Sequence, residues 1–408
     1  MTRPTLNRDH TLAVAMLLGA AVGVGVFAFE RTIQFMLDNV RAAPTAVMIV
    51  APSVGLIVTS LILRLGPTPR SRSTADEYLL SIHNPTRQIP IRQIAVRMSA
   101  AVATLGAGGS LGLEGPAMLL GAGTADNAGR RLARRLVVDH QALLVAGASA
   151  AVAAVFKAPA TGAVFALEVP YRTDMARHQL LPALVGAASG YLALVSLAGT
   201  DRLFPTGDNP PFDLRDLGGA ILIGIVAGVL ARLVSRAIRW AKHWAKSTSA
   251  AVRLPVASLA LSGVAWAAFT LTDQPLGIGP GYLVLSWLDN PKLAVWVIVA
   301  MLVLRLIGVV ATTAGGGVGG FFIPLVVIGG LLGRAAAGIA GTAGSGLFPI
   351  LGVAAVLGAG YQVPLAAVMF VAESSGRPGY VVPALLAAVA ADIAVGHDSV
   401  TDYQRDRA

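Results

Sequence analysis

The 408-residue chain has no cysteine, which removes disulfides, thiolate metal sites and cysteine nucleophiles. Histidine is scarce, at six residues, and no two stand in an H-x-x-x-H pair. No metal and no cofactor are therefore expected. Charge is also short: Asp, Glu, Lys and Arg make up 13%, about half of the roughly 25% usual in soluble domains. A soluble chain so poor in charge and 55% hydrophobic would expose large apolar patches and aggregate. The same hydrophobicity excludes disorder.

What is plentiful points one way. The 46 glycines are about 11% of the chain against a usual value near 7%, and mean hydropathy is +0.71. Glycine in an apolar chain suits helices packed closely in lipid. The expected fold class is all-α, a polytopic membrane protein. The net charge of +10 then reads as the positive-inside bias of membrane loops rather than as a nucleic-acid surface, with attraction of an anionic solute as a secondary effect.

Leu12–Phe29 carries no charge and follows Arg3 and Arg8, without a small-residue cleavage site. It reads as a first membrane helix, not a signal peptide. Further apolar runs are Pro44–Leu63, His178–Thr200, Leu217–Ala231, Leu254–Leu271, Leu293–Leu304, Phe348–Ala359 and Val381–Val395. Several are short, and Pro116, Pro159, Pro324 and Pro364 interrupt apolar sequence. Half-length helices at membrane depth line cavities and mark substrate sites in transporters. Arg3, Arg8 and the Arg64–Arg97 region place the start of the first helix on the cytoplasmic side. Arg232, Arg236, Arg239, Lys242 and Lys246 form one cationic stripe, read as a helix end snorkelling to cytoplasmic water. One helix thus starts inside and the other ends inside, as an inverted repeat predicts.

Self-similarity supports the repeat. Pro159, Phe165 and Glu168 recur as Pro364, Phe370 and Glu373 at the same spacing. Gly112-Leu113-Glu114-Gly115-Pro116 with Gly121 recurs as Gly320-Phe321-Phe322-Ile323-Pro324 with Gly329. The polar stretch Phe204–Asp213 would divide the chain into halves 1–205 and 214–408 of a single transmembrane domain.

Proline suits the first turn of a helix, and the unpaired N–H groups there carry the positive end of the dipole. Two such ends meeting at mid-membrane would hold an anion by partial charges, without trapping it. Glu114 stands at one of these helix starts. Its carboxylate would compete with the anion as a gate and take up a proton when displaced; the plainer alternative is a helix-capping acid. Thr74-x-x-Glu77 fits a capping box, with Ser73 beside it as a hydroxyl donor.

Together these residues resemble the CLC family of chloride channels and proton/chloride antiporters. Gly112–Pro116 is similar to that family's G-R-E-G-P motif with Leu113 in place of Arg, and Gly320–Pro324 to its G-x-F-x-P motif. Gly147–Glu168 is similar to the family segment containing F-N-A-P and L-F-x-x-E. The resemblance implies an inverted-repeat fold of many tilted helices, a homodimer with one pore per subunit, and multi-pass residence in a prokaryotic inner or plasma membrane. It implies that Glu114 is the external gating glutamate, that chloride contacts Gly112, Gly115, Phe321, Phe322 and Ile323, and that Ser73 is the central serine. Thr401 falls at the family's central tyrosine, with Tyr403 two residues late. Val169 stands where antiporters carry an internal glutamate. A channel-like mechanism is therefore favoured over an antiporter lacking that glutamate. Phe322 argues against a fluoride exporter, and no cytoplasmic regulatory domain is expected. A membrane enzyme built on Glu168 and Glu373 is the remaining class; no nucleophile or metal cluster accompanies those acids.

Overall fold

The computed structural model describes residues 8–66, 73–132, 138–200, 213–342 and 346–406. Among these residues, eight α-helices precede positions 201–212 and eight follow. The first set is α1 (Arg8–Ala42), α2 (Thr45–Leu63), α3 (Ala75–Ile82), α4 (Ile91–Gly106), α5 (Glu114–Leu132), α6 (His140–Phe156), α7 (Pro159–Glu168) and α8 (Leu180–Ala198). The second is α9 (Leu214–Ser247), α10 (Ala250–Thr272), α11 (Tyr282–Trp287), α12 (Val295–Ala314), α13 (Phe322–Ile339), α14 (Leu347–Tyr361), α15 (Pro364–Ser375) and α16 (Val381–Val395). Among the described residues there is no strand beyond isolated bridges. The proposed division at Phe204–Asp213 lies, except for Asp213, outside the described residues.

The packing repeats with a period of eight helices. The pairs α1–α8, α5–α6 and α6–α8 recur as α9–α16, α13–α14 and α14–α16. The two sets meet through the self-matched pairs α2–α10 and α7–α15. The all-α fold is therefore an internal repeat, as the motif spacing predicts. Two glycines from those motifs explain one shared contact. A methyl group at Gly121 would fall 2.1 Å from Gly147 O, and one at Gly329 2.3 Å from Gly352 O. Only glycine lets α5 touch α6, and α13 touch α14, backbone to backbone.

The prolines act alike in both sets. Lys157 and Gln362 take left-handed conformations (φ 51° and 57°) that end α6 and α14. The next residues, Ala158 and Val363, leave the helical region, as a following proline favours. Pro159 and Pro364 then begin α7 and α15. Helices α6 and α14 are apolar on all sides and almost wholly buried, and they form the centre of the molecule.

Among the described residues, seven helices are long and apolar enough to cross a membrane: α1, α2, the helical stretch Arg177–Ala198, α9, α10, α12 and α13. Leu17, Phe35, Leu222, Leu259, Trp266 and Ile393 stand exposed on the outside of the bundle, where lipid contact suits them. Two helices outrun their apolar sequence. α1 continues past Phe29 through Glu30 and Arg31, because Phe29, Ile33 and Leu37 keep a buried stripe at helical spacing. α9 continues past Ala231 to Ser247.

The cationic stripe on that extension is solvated only in part, which narrows the snorkelling expectation: Arg236 stays exposed and Lys242 is buried. Arg232 donates to the carbonyls of Val395 (3.0 Å) and Ala394 (2.6 Å). Arg236 pairs with Asp398 at 2.9 Å, and Arg239 reaches both Asp398 and the Ser399 carbonyl. Lys242 donates to Val400 O (2.6 Å) and Asp402 (3.2 Å). Lys246 remains exposed. The stripe clamps the segment after α16. Arg130 is likewise held, by Asp126 at 2.9 Å and Pro85 O at 3.1 Å.

Candidate functional site

The two glycine–proline motifs meet at the middle of the fold. Gly112 N–H donates to Gly320 O at 2.9 Å, and Gly320 N–H returns a bond to Gly112 O at 2.8 Å. This antiparallel contact sets the starts of α5 and α13 against each other. Their first-turn N–H groups have no partner within their own helices.

Glu114 fills the space between them. Its Oε1 accepts the Phe322 N–H at 2.5 Å, and the carboxylate also takes backbone bonds from Ile323 and from its own residue. The side chain is buried, and its Oε2 has no hydrogen-bond partner. Methyl groups at Gly112 and Gly320 would each fall 2.1 Å from a Glu114 carboxylate oxygen, so the seat exists because both positions are glycine. A negative group therefore rests on the N-terminus of α13, where the dipole and oriented N–H groups favour one.

The other expected residues take distinct places. Gly115 approaches Gly320 so closely that its absent Cβ would lie 3.0 Å from Gly320 Cα. Phe321 N–H donates to the hydroxyl of Tyr361 at 3.2 Å. The Phe322 ring sits among Phe156 (4.1 Å between centroids), Phe370 (4.9 Å) and Phe165 (5.3 Å), an apolar wall beside the seat. Ser73 is buried just ahead of α3. The expected capping box does not form: Thr74 makes no side-chain cap, and Glu77 binds Arg87 and Arg97 instead. Two guanidinium partners, one of them buried, outweigh one backbone N–H for that carboxylate. Freed from capping, the Thr74 hydroxyl turns toward Gly115 and has no hydrogen-bond partner.

Asp76 is completely buried and lies 3.6 Å from Lys242 Nζ, whose ammonium also stands 5.4 Å from the centre of the Phe321 ring. Thr401 Oγ1 lies 3.0 Å from Ser399 Oγ, on a segment joined to the end of α14 through Val400 N–H to Gly360 O at 2.9 Å. Tyr403 packs at the edge of the main core. Val169 is buried at the end of α7. Beside Leu113 lies a cavity of about 280 Å³ that Lys157 lines together with Glu30, Gln34, Tyr282 and Ser286. Lys157 thus both ends α6 and faces a cavity.

Glu168 and Glu373 act on each other's helices. Glu373 accepts Ala160 N–H (2.8 Å), Thr161 N–H (2.7 Å) and the Thr161 hydroxyl (2.6 Å) at the start of α7. Glu168 accepts Leu365 N–H (3.2 Å) and Ala366 N–H (2.9 Å) at the start of α15. They are reciprocal caps, and this accounts for their matched positions in the repeat.

Sequence reading missed Tyr361, Thr74 as distinct from Ser73, the Lys242–Asp76 pair and Glu30. For Tyr361 a signal was present. The repeat that matches Lys157-Ala158-Pro159 to Gln362-Val363-Pro364 also matches Phe156 to Tyr361, an aromatic that gains a hydroxyl.

Known proteins are similar to this chain. The chain is 29% identical over 405 residues to a ClcB-like protein of Ralstonia nicotianae, covering 93% of this chain and 92% of that one. It is 25% identical over 431 residues to an H+/Cl− exchange transporter, ClcA, of Cronobacter sakazakii, covering 96% and 88%. The crystal structure of a CLC-type fluoride/proton antiporter has the same fold, with a TM-score of 0.85 and 22% identity over 99% of this chain and all of that one. The family model for voltage gated chloride channels matches residues 54–396, a span that holds Glu114, both glycine–proline motifs and both capping glutamates, and the chain belongs to that family, the CLC proteins.

Proposed function

We propose that the protein moves chloride across a membrane, with the anion taking the seat held here by the Glu114 carboxylate. The observation that carries this reading is the contact between Glu114 and the Phe322 and Ile323 N–H groups. A carboxylate and a chloride ion ask for the same donors and the same positive dipole end. The seat offers partial charges from oriented backbone, so an anion binds there without being held by a fixed cation. When Glu114 swings out, or takes a proton and loses its charge, the donors pass to the anion. The side chain is then a gate, and Phe321, Phe322, Ile323, Gly112 and Gly115 are the seat's walls and donors.

A channel-like mechanism is favoured. Val169 offers no proton-carrying group at the end of α7, which suits chloride movement uncoupled from protons. The second reading is an antiporter, favoured by Glu114 itself, an acid able to carry one proton each time it leaves the seat. The working unit of either is a homodimer in a lipid bilayer, each subunit built of halves 1–205 and 214–408.

The test is chloride efflux from proteoliposomes with external pH recorded, under a chloride gradient with potassium and valinomycin. Chloride flux without proton movement makes the protein a channel; proton uptake against its gradient makes it an antiporter. In Glu114→Gln, anion passage survives, gating changes and any proton movement stops. Gating and proton movement unchanged in that variant would remove Glu114 from its role, and absence of chloride flux in the unaltered protein would overturn the reading.

A further inference from the structure

The seat is built of backbone N–H groups, and an anion there needs further donors to replace the water it sheds. Two hydroxyls stand beside it with capacity to spare. Thr74 is fully buried, and its Oγ1 has no hydrogen-bond partner. That oxygen lies 2.6 Å from where a Gly115 Cβ would be, at the first turn of α5 and against Gly320. A buried, unbonded hydroxyl is costly to leave unpaired, so its place beside two helix N-termini calls for a ligand.

Tyr361 supplies the second. Its hydroxyl oxygen accepts the Phe321 N–H. That bond uses a lone pair, and the hydroxyl proton stays available to donate. Among the described residues the hydroxyl donates no hydrogen bond. The phenol is buried at the end of α14, its ring against Phe165 and Phe322. By contrast, the Thr401 hydroxyl is engaged with Ser399, which in turn reaches Gly360 O at 3.4 Å. The segment carrying Thr401 contacts the end of α14 through Gly360 O and, by Gln404, Tyr361 O at 2.7 Å. The Tyr361 side chain then continues from α14 to Phe321.

We infer that Thr74 and Tyr361, rather than Ser73 and Thr401, donate the two hydroxyl hydrogen bonds to the transported anion and set its selectivity. The inference rests on the reading that an anion replaces the Glu114 carboxylate. Two O–H donors compensate best an anion that holds its water firmly, so their loss penalises chloride more than the weakly hydrated nitrate.

The test uses the full-length protein carrying Glu114→Gln, which leaves the seat to the ion. Chloride binding is titrated in detergent, and the chloride-to-nitrate flux ratio is measured in proteoliposomes. Thr74→Val and Tyr361→Phe each lower chloride affinity about tenfold or more and shift the flux ratio toward nitrate. Thr74→Ser, which keeps the hydroxyl, restores both. Ser73→Ala and Thr401→Val produce the smaller losses. The inference is overturned if the larger loss falls on Ser73 and Thr401, or if chloride binds unchanged in Thr74→Val and Tyr361→Phe. Should Thr74→Val not fold, the comparison of Thr74→Ala with Thr74→Ser decides in the same way. Absence of chloride binding in every variant, Glu114→Gln included, instead overturns the anion seat itself.

Discussion

Gly112 and Gly320 exchange both of their backbone hydrogen bonds, at 2.9 and 2.8 Å, and the Glu114 carboxylate lies where a side chain on either glycine would begin. One contact therefore does two things. It fixes the spacing of two helix N-termini, and it leaves between them the space that the Glu114 carboxylate fills.

Gly112→Ala tests that pocket. Gly112 is not among the residues with positive φ, so alanine suits its backbone. The nearest neighbours of the new methyl would all be atoms of the Glu114 carboxyl group, at 2.1 to 2.8 Å. The flexible side chain must leave. The expected outcome is a protein that behaves like Glu114→Gln, with anion flux kept, gating altered and proton movement absent. Adding Glu114→Gln should change it no further. Normal gating in Gly112→Ala would mean that the carboxylate does not work from this seat.

The capping glutamates carry a stability prediction. Glu373 accepts three bonds of 2.6 to 2.8 Å, whereas Glu168 accepts two, of 2.9 and 3.2 Å. Glu373→Ala should cost ~1–3 kcal/mol, and Glu168→Ala less. Glutamine at either position keeps an acceptor and restores part of the loss. Thermal unfolding in detergent reads both, with anion selectivity unmoved in the protein that remains folded. An unchanged melting temperature in Glu373→Ala would remove its role as a cap.

Much of this was legible in the sequence because it is local. Proline suits the first turn of a helix, so Pro116, Pro159, Pro324 and Pro364 point in sequence to the starts of α5, α7, α13 and α15. The repeat also makes Glu168 and Glu373 counterparts. Sequence does not show that each caps the other's helix, since that contact crosses the whole chain. The same holds for Lys242 and Asp76. On its own helix, Lys242 continues a cationic stripe that looks solvated; only the return of the segment after α16 buries it. Thr74 was misread for a subtler reason. Its spacing to Glu77 fits a cap, but Arg87 and Arg97 compete for the glutamate and win by charge.

Asp398 sets a pH limit on the clamp. Burial raises its carboxyl pKa, but the hydrogen bonds and charges of Arg239 and Arg236 outweigh that and hold it below the usual aspartate range. A depressed folded pKa gives stability that is present above the unfolded value, ~3.9, and fades only as pH falls through the lower folded one. Tryptic cleavage after Arg405 reports release of the segment. Relative to cleavage of an unfolded control peptide at the same pH, it should be slow and constant from about pH 5 to 8 in the unaltered protein, since that range lies above both values. Asp398→Asn should speed it across that range. Loosening of the unaltered protein near pH 6 would show that another group holds the clamp.

Lys242 ties this clamp to the seat. Its ammonium joins Asp76 ahead of the seat, Val400 and Asp402 behind it, and the face of the Phe321 ring. Lys242→Met keeps the apolar stem and removes the charge, which takes from the fully buried Asp76 its ammonium countercharge. Removing one partner of a buried pair typically costs ~3–5 kcal/mol. If Asp76 is the main debtor, Asp76→Asn should recover a good part of that loss in the double variant, although the same change alone is destabilising. Asp402, half-exposed and solvated, should give little recovery. The two double variants therefore separate a buried electrostatic link between α3 and α9 from a surface contact. Recovery by Asp402→Asn alone would place the coupling in the clamp and leave Asp76 to be held by other neighbours.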